Sequence, residues 1–336
     1  MSTITTLILI QNVMTRYLLP TILALGNLGN LFTIAIYTQK NHQKNSCSIY
    51  LIGVSCFSLL GSNWAIAPAV YALDNFDMIN RSTVLCRIRG YIIHTSSMSF
   101  RYLLVLLCAD RYALCNKRVF IRALSRPQIA YRSVAVTAVF WSVVSIHLLI
   151  WESIENGRCG VYGIYGQIFS FYVVVFTGFI PIVSMISFGI LLGKSLKSLH
   201  AQIQPLNSCH RLNRRDISLI KLVLVEIIVY IICTALYPPM AVYTQITSSM
   251  ASSKTAERKQ IETFINFIIM SFLLYLNYNT TFYVHLITSK SFRNQVKDLI
   301  LKCCGRSPRN VRNHQSGLKT MSKIPGRQLL QRTTIL

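Results

Sequence analysis

The chain contains seven apolar runs, each long enough to cross a lipid bilayer as an α-helix. A hydrocarbon core about 30 Å thick requires roughly 20 such residues. The runs lie near residues 17–37, 47–73, 84–108, 133–151, 167–192, 219–246 and 261–287. No strand-like alternation competes with them, and only helices or closed barrels satisfy their backbone hydrogen bonds within lipid. The sequence therefore predicts an all-α membrane protein, a seven-transmembrane helix bundle over residues 17–287.

Composition excludes a soluble globular protein. Charged residues make up 13% of the 336 residues, whereas a soluble domain averages about 25%. That is too few charges to cover the surface of a soluble domain of this length. The formal net charge is nevertheless +24, so the positions of the basic residues decide the predicted topology.

Basic residues concentrate in alternate connections between the runs. Of the 34 Lys and Arg residues, 25 fall in the stretches 40–44, 111–132, 194–221 and from 290 onward. Because cytoplasmic loops are enriched in Lys and Arg, we predict a plasma-membrane protein with an extracellular N-terminus (1–16) and a cytoplasmic C-terminus. An amphipathic juxtamembrane helix (288–302) and a basic, disordered tail (303–336) would contact membrane lipids. No nucleic-acid partner is expected, since the charge is divided among four pieces.

Two motifs bracket the third run. Cys86 opens it at the predicted outer end, and Asp110-Arg111-Tyr112 closes it at the inner end. The 25 residues from Cys86 to Arg111 span about 37 Å of α-helix, which is one membrane crossing with its interfaces. Further positions of the constellation are Cys159 after the fourth run, Trp141 within it, Pro181 in the fifth run, and Gly29 and Asn30 in the first. Over about residues 26–304 the chain resembles a rhodopsin-like (class A) G-protein-coupled receptor.

The resemblance implies a disulfide bond between Cys86 and Cys159. These are the two cysteines predicted to face the oxidising exterior, and a bridge between them would hold the second outer loop over the mouth of the bundle. The remaining cysteines fall in the runs or on the cytoplasmic side, where thiols stay reduced.

The resemblance also implies a cytoplasmic switch for a heterotrimeric G protein. Arg111, with Asp110 beside it and Tyr112 after it, would be restrained in the inactive receptor and would contact the G protein once helix 6 moves outward. An acid on helix 6 usually adds to the restraint, and Asp216 and Glu226 are the candidates. Because an acid within a span is costly unless paired, our hypothesis is that Glu226 reaches Arg111 or Arg101.

Helices 2 and 6 depart from the family pattern. Ser58 stands where the family carries the aspartate of its sodium site, so we expect no conventional sodium pocket. Either Leu236 or Tyr237 takes the place of the usual tryptophan before a proline. Pro238 and Pro239 predict a kink there, because proline removes a helical hydrogen bond and clashes with the preceding turn.

The seventh run carries the family's Asn-Pro-x-x-Tyr motif without its proline. In one register, Asn279 and Tyr283 take the Asn and Tyr places. Counting back seven residues from Phe292 instead gives Thr281 and His285. The sequence leaves both registers open.

Single positions exclude two ligand classes. Ile93, seven residues after Cys86, replaces the aspartate with which amine receptors bind their ligand, and the seventh run has no lysine for a retinal Schiff base. Peptides, lipids and small non-amine molecules remain as candidate ligands.

Outer loops with charges of both signs favour an extracellular peptide as the ligand. The overall residue pattern, including Arg101 before the Asp-Arg-Tyr triplet, is similar to that of invertebrate FMRFamide-type neuropeptide receptors. We expect the pocket in the upper bundle, among Ile93, His94, Ser97, Arg101 and Tyr243.

The places of several residues in the sequence predict covalent modification sites. Cys303 and Cys304, after the amphipathic stretch, are predicted palmitoylation sites, and Asn80 begins a glycosylation sequon in the first outer loop. Tail residues that a receptor kinase would modify to recruit arrestin are Ser307, Ser316, Thr320, Ser322, Thr333 and Thr334. No catalytic, metal-ligand or cofactor motif is present, so the sequence predicts neither an enzyme nor a cofactor.

A multi-span transporter or channel is the main alternative. It requires ionisable residues along a continuous path, whereas only Arg101 and Glu226 lie deep within the runs. The altered motifs of helices 6 and 7 also leave open a receptor-like protein with weak or no G-protein coupling.

Overall fold

The computed structural model describes residues 3–40, 42–116, 118–155, 157–201, 214–248 and 253–303. The long helices are α1 (Thr3–Tyr37), α2 (Ser46–Tyr71), α3 (Thr83–Cys115), α4 (Pro127–Val144 and Ile146–Trp151), α5 (Gly163–Tyr172, Val173–Phe179 and Ile180–Ala201), α6 (Arg214–Thr234 and Tyr237–Ser248), α7 (Ala256–Asn266, Phe267–Leu273 and Leu274–Thr288) and α8 (Lys290–Cys303). A short turn of helix, Val119–Arg122, precedes α4. Within these ranges, α1–α7 are long and apolar enough to cross a membrane. The predicted all-α, seven-span class is confirmed.

Helix α1 begins earlier than the apolar run near residues 17–37 indicated. The segment Thr3–Val13 contains no Gly, Pro or charged residue that would end a helix. Residues expected to form an extracellular terminus therefore extend the first helix, and they pack against Ala256–Asn266 of α7. Farther along α1, Arg16 forms an ion pair with Asp74 in the loop after α2.

Wide π-helical turns interrupt three of these helices, at Met14–Leu18, Val173–Phe179 and Phe267–Leu273. Pro20 and Pro181 follow the first two. A proline lacks the backbone N–H and its ring clashes with the carbonyl one turn earlier, and a wider turn relieves that clash. By contrast, α3 runs from Thr83 to Cys115 without interruption.

Helix α6 is broken where its two consecutive prolines lie. The segment Arg214–Thr234 ends before Tyr237–Ser248 begins. Pro238 and Pro239 stand in the first turn of the second segment, where a missing N–H costs little. The predicted kink is confirmed. A side chain at Gly178 of α5 would overlap the Pro238 ring, so α5 and α6 are in close contact there.

The connection between α4 and α5 forms an antiparallel hairpin of β1 (Ser153–Glu155) and β2 (Arg158–Gly160). Its turn includes Gly157 with φ +70°, which glycine adopts without strain. Cys159 of β2 is disulfide-bonded to Cys86 at the start of α3, which confirms the predicted bridge. We call this end of the bundle the disulfide end and the opposite end the Arg111 end.

Small residues bring α1 and α7 together. A Cβ added at Gly29 would lie 2.8 Å from the Cβ of Phe282, and Asn30 donates to the carbonyl oxygen of Tyr278 at 3.4 Å. By contrast, large apolar side chains of α4 and α5 point away from the bundle, among them Val136, Val139, Phe140, Ile164, Ile168 and Phe171. Such faces suit lipid, which is as apolar as they are.

Candidate functional site

Arg111 and Asp110 form a buried ion pair at the end of α3 opposite the disulfide, with side chains 1% and 3% exposed. Nε of Arg111 donates to Oδ2 of Asp110 at 2.9 Å, and Nη2 donates to Oγ of Ser46 at 2.8 Å. Ser46 in turn donates to the same carboxylate oxygen at 3.0 Å. A buried charge is tolerated when it is paired and hydrogen-bonded. This closed ring of three side chains therefore explains how the guanidinium is held inside the protein.

The start of α2 supplies a further contact. Asn45 is the N-cap of α2, and its Oδ1 accepts from the backbone N–H of Cys47 at 3.0 Å. The same oxygen accepts from Nη2 of Arg111 at 3.4 Å, so the cap of one helix also binds the arginine of another. Tyr112 points instead toward α5, where its ring centroid lies 6.3 Å from that of Phe188.

Glu226 reaches neither arginine. Its Oε1 accepts a hydrogen bond from the hydroxyl of Thr281 in α7 at 2.7 Å. Among the residues that the structure describes, it forms no ion pair with Arg111 or Arg101. The hypothesis of an ionic contact from Glu226 is therefore wrong for this arrangement of helices. The reason is that Asp110 already neutralises Arg111, while the carboxyl of Glu226 is turned toward α7.

The first register of the α7 motif faces α1. The side chain of Asn279 fills the space beside Gly26, where an added Cβ would overlap it. The hydroxyl of Tyr283 donates to the backbone carbonyl of Leu25 at 2.9 Å. Among the described residues, neither Asn279 nor Tyr283 forms a hydrogen bond with the Arg111 network.

The second register faces the interior of the bundle. Thr281 is the residue that binds Glu226. His285 is 1% exposed, and its ring packs edge-on against Tyr37 and Phe292 at centroid distances of 6.4 and 5.4 Å. The hydrogen bond between Thr281 and Glu226, which joins α7 to α6, therefore belongs to the Thr281/His285 register.

Arg101 is buried in the middle of α3, with 2% of the residue exposed. Its guanidinium donates to the hydroxyl of Ser97 and to that of Tyr278 at 3.5 Å. The phenols of Tyr230 and Tyr237 on α6 also interact with it electrostatically. Tyr237, rather than the exposed Leu236, is thus the residue before the prolines that faces the bundle interior.

The predicted ligand-pocket residues do not line one cavity. His94 packs toward α4 and α5, where its Nε2 lies 3.1 Å from the hydroxyl of Tyr172 and its ring contacts His147. Ile93 instead packs against the cluster that contains Leu19. Adjacent positions on a helix are rotated by about 100°, so neighbours in sequence face different helices.

Tyr243 lines a separate cavity of about 350 Å³ at the disulfide ends of α6 and α7. Its hydroxyl donates to Oε1 of Glu262 at 2.8 Å and accepts from Nη2 of Arg258 at 3.3 Å. Lys254 and Arg258 both pair with Glu262, at 2.5 and 3.0 Å. The apolar residues of the lining are Met240, Ile261 and Ile265. The cavity therefore combines an apolar wall with a charged rim.

Glu152, one of the acids predicted to lie in the outer loops, is buried. It is 8% exposed and lies against Gly90 of α3, where any side chain would overlap it. Its Oε2 has no hydrogen-bond partner in the described ranges. Burial raises the pKa of Glu152 to about 7, although Arg89 and Arg87 oppose the shift. No sequence signal reveals this, because an acid directly after an apolar run is usually solvated.

Asn80, the predicted glycosylation position, joins two loops. Its Nδ2 donates to Asp77 at 2.6 Å, and its Oδ1 accepts from the backbone N–H of Cys159 at 2.7 Å. Glycosylation replaces one of the two hydrogens on Nδ2 and leaves the other able to donate to Asp77, so modification of Asn80 stays a prediction. Cys303 ends α8, while Cys304 and the tail serines and threonines lie outside the described residues. Their modification stays a prediction.

The bundle connects an anchored hairpin at one end of α3 to a restrained guanidinium at the other. That arrangement suits the transfer of a signal across a membrane, and the class of protein that it defines is a seven-helix membrane receptor. The family model described as 7 transmembrane receptor (rhodopsin family) matches residues 29–303, and the chain belongs to this family. None of the curated proteins matches it.

Family membership identifies the chain as a receptor rather than a transporter or channel, which was the main alternative. The chain is a non-enzymatic, multi-pass membrane receptor, and its family transfers a signal from an extracellular ligand to a heterotrimeric G protein. The transporter or channel is set aside.

Proposed function

We propose that this chain is a plasma-membrane receptor that binds a ligand at its disulfide end and activates a heterotrimeric G protein through Arg111. The buried Arg111 network is the observation that carries this proposal. Its bonds to Ser46 and Asn45 join α3 to α2, so a shift between these helices releases the guanidinium to a partner at that end. Two facts support a cytoplasmic Arg111 end: the basic residues concentrate there, and the disulfide needs an oxidising compartment.

We infer that the ligand is a peptide, as in the FMRFamide-type neuropeptide receptors that the sequence is similar to. The cavity beside Tyr243 supports this inference, since its apolar wall and its rim with Glu257 and Arg258 match the mixed side chains of a peptide. Ligand sites combine an apolar lining with a few placed polar groups. Of the predicted pocket residues, Tyr243 is therefore the one that we assign to direct ligand contact.

We further propose that the Glu226–Thr281 hydrogen bond restrains α6 in the inactive receptor. The bond ties α6 to α7 in the half of the bundle that contains Arg111, and it is separate from the Arg111 network. A ligand activates such a bundle by binding the state without this contact more tightly than the state with it.

Reconstitution of the purified receptor with G proteins tests the proposed function. A peptide library is screened for accelerated nucleotide exchange, with solute flux in receptor-containing liposomes measured in parallel. We expect at least one peptide to accelerate exchange, and Arg111→Met to abolish the acceleration while peptide binding remains. Peptide-dependent solute flux would contradict the proposal. Saturable binding without exchange on any G-protein subtype would instead identify a receptor-like protein that does not couple.

We also propose that a receptor kinase and arrestin act on the tail and that Cys303 and Cys304 carry palmitate. These proposals rest on sequence position alone. Hydroxylamine-sensitive incorporation of labelled palmitate, compared with the Cys303→Ser/Cys304→Ser variant, tests the lipidation.

A further inference from the structure

We infer that the bundle interior contains a binding site for a small monovalent anion, with chloride as the ion that surrounding fluid supplies. Arg101 of α3 and the phenol hydroxyls of α6 and α7 form this site. The inference is independent of the ligand and of the G protein, because it concerns only the fixed charge of the interior.

Arg101 has no counter-charge among the described residues. A buried guanidinium loses its hydration, and proteins compensate by pairing it with an anion. Arg101 forms no ion pair among the described residues, and its side-chain hydrogen bonds go to the uncharged hydroxyls of Ser97 and Tyr278. Glu226, the deep acid of the adjacent helix, is bound to Thr281 instead. Among the described residues, the positive charge of Arg101 therefore has no negative partner.

The side chains around Arg101 carry more hydrogen-bond donors than acceptors. A guanidinium carries only donors, so Ser97 and Tyr278 use their oxygens to accept from Arg101. Their hydroxyl hydrogens have no acceptor in the described part of the chain. The hydroxyl of Tyr230 is wholly buried and likewise has no acceptor for its hydrogen there. Buried donors without an acceptor leave a cost that a bound anion removes.

The positive charge of the site and its depth in the bundle determine which ion can occupy it. A cation is repelled by Arg101, and Ser58 leaves α2 without an acid that would attract one. The carboxylate of a ligand shares the chemistry of a free anion. However, Arg101 lies 15 residues beyond Cys86 along α3, which is about 22 Å of helix. A freely diffusing ion fits that depth better than an acid carried by a peptide held at the mouth.

Thermal unfolding of the purified full-length receptor, without ligand or G protein, tests the inference. Sodium chloride is titrated against sodium gluconate at constant ionic strength. We expect chloride to raise the melting temperature saturably, as a ligand of the folded state does, and Arg101→Gln to abolish that rise. Tyr230→Phe keeps the ring but removes one donor, so its half-saturating chloride concentration should rise about tenfold. Arg132→Gln, which removes an exposed arginine of α4, should respond like the wild type.

Three results would overturn the inference. They are equal melting temperatures of the wild type in chloride and gluconate, a full chloride response in Arg101→Gln, or a larger response to sodium acetate than to chloride. The last would assign the site to the carboxylate of a ligand. If Arg101→Gln does not fold, Tyr230→Phe and Tyr278→Phe decide, and unchanged half-saturating concentrations in both contradict the site. Because no agonist or G protein is present, the result is independent of whether the receptor couples.

Discussion

Arg111 and Arg101 lie in the same helix but are stabilised in opposite ways. Arg111 is neutralised by Asp110, whereas Arg101 is surrounded by hydroxyl groups. The sequence predicted the depth of both residues and the acid beside Arg111. It could not predict that Ser46 completes the network, because the two residues are 65 positions apart and meet only through the packing of α2 on α3.

Removing the hydroxyl of Thr281 should raise basal signalling. Thr281→Val keeps the shape of the side chain but loses the hydrogen bond to Glu226. Such a bond contributes about 1 kcal/mol, so the active population should rise roughly fivefold. Nucleotide exchange on a reconstituted G protein without agonist measures the effect.

Two variants control this experiment. Glu226→Gln keeps an acceptor oxygen and should retain most of the restraint. Thr280→Val removes a hydroxyl that binds only a backbone carbonyl and should match the wild type. Basal exchange in Thr281→Val that equals the wild type would remove Glu226–Thr281 from the switch.

The acid Glu152 should make the stability of the receptor depend on pH. Its folded-state pKa of about 7 lies above the ordinary 4.5, so the folded protein binds this proton more tightly than the unfolded chain. Its contribution is fully present at low pH and is lost as pH rises through about 7. Relative to Glu152→Gln, the wild type should lose at most about 3 kcal/mol between about pH 5 and pH 8.

Thermal unfolding at several pH values measures this difference. Glu155→Gln, which changes an exposed acid of the same hairpin, serves as the matched control and should keep the pH dependence of the wild type. A Glu152→Gln variant with an unaltered pH profile would show that the carboxyl is hydrated in the folded receptor.

The helices extend farther than the apolar runs that predicted them. Hydropathy marks the part of a helix within lipid, whereas the helix itself continues until a breaking residue occurs, as in Thr3–Val13. The break near Pro238 was predictable because proline acts locally. The π-helical turn Phe267–Leu273 was not, since one extra residue in a turn leaves no mark on composition. The hairpin was missed because Ser153–Glu155 is too short for a pattern.

The close approach of α1 and α7 should make Gly29 sensitive to substitution. A Cβ at this position would lie 2.8 Å from the Cβ of Phe282, so Gly29→Ala forces the helices apart. Overpacking of this kind costs about 1–3 kcal/mol, which exceeds the gain of about 1 kcal/mol in helix propensity. The melting temperature of the purified receptor should fall.

Gly193→Ala in α5 is the matched control, because nothing lies within 4 Å of its added Cβ. It should leave the melting temperature unchanged or raise it. A Gly29→Ala receptor as stable as Gly193→Ala would mean that α1 and α7 leave room for a methyl group at this position.

The number of spans could be predicted from the sequence, because only helices or closed barrels satisfy the backbone hydrogen bonds of a chain within lipid. The direction of insertion follows from the placement of Lys and Arg and has its own test. An epitope added after residue 336 should bind antibody only in permeabilised cells, whereas one inserted in the turn of the hairpin at Gly157 should bind on intact cells. The reverse labelling would contradict the proposed orientation and place Arg111 outside the cell.

The disulfide end of α3 is fixed to the hairpin in three ways: by the bridge from Cys86 to Cys159, by the loop that Asn80 ties to Cys159, and by Arg87, whose Nε donates to the backbone oxygen of Glu152 at 2.9 Å. Helix α3 has no π-helical turn along its length and is therefore stiff. Wide turns or breaks divide α5, α6 and α7. We therefore expect conformational changes of the bundle to occur in α5, α6 and α7. In the proposed orientation, an antibody raised against the hairpin would bind resting and stimulated receptors equally well, and it could count them at the cell surface without reporting their activity.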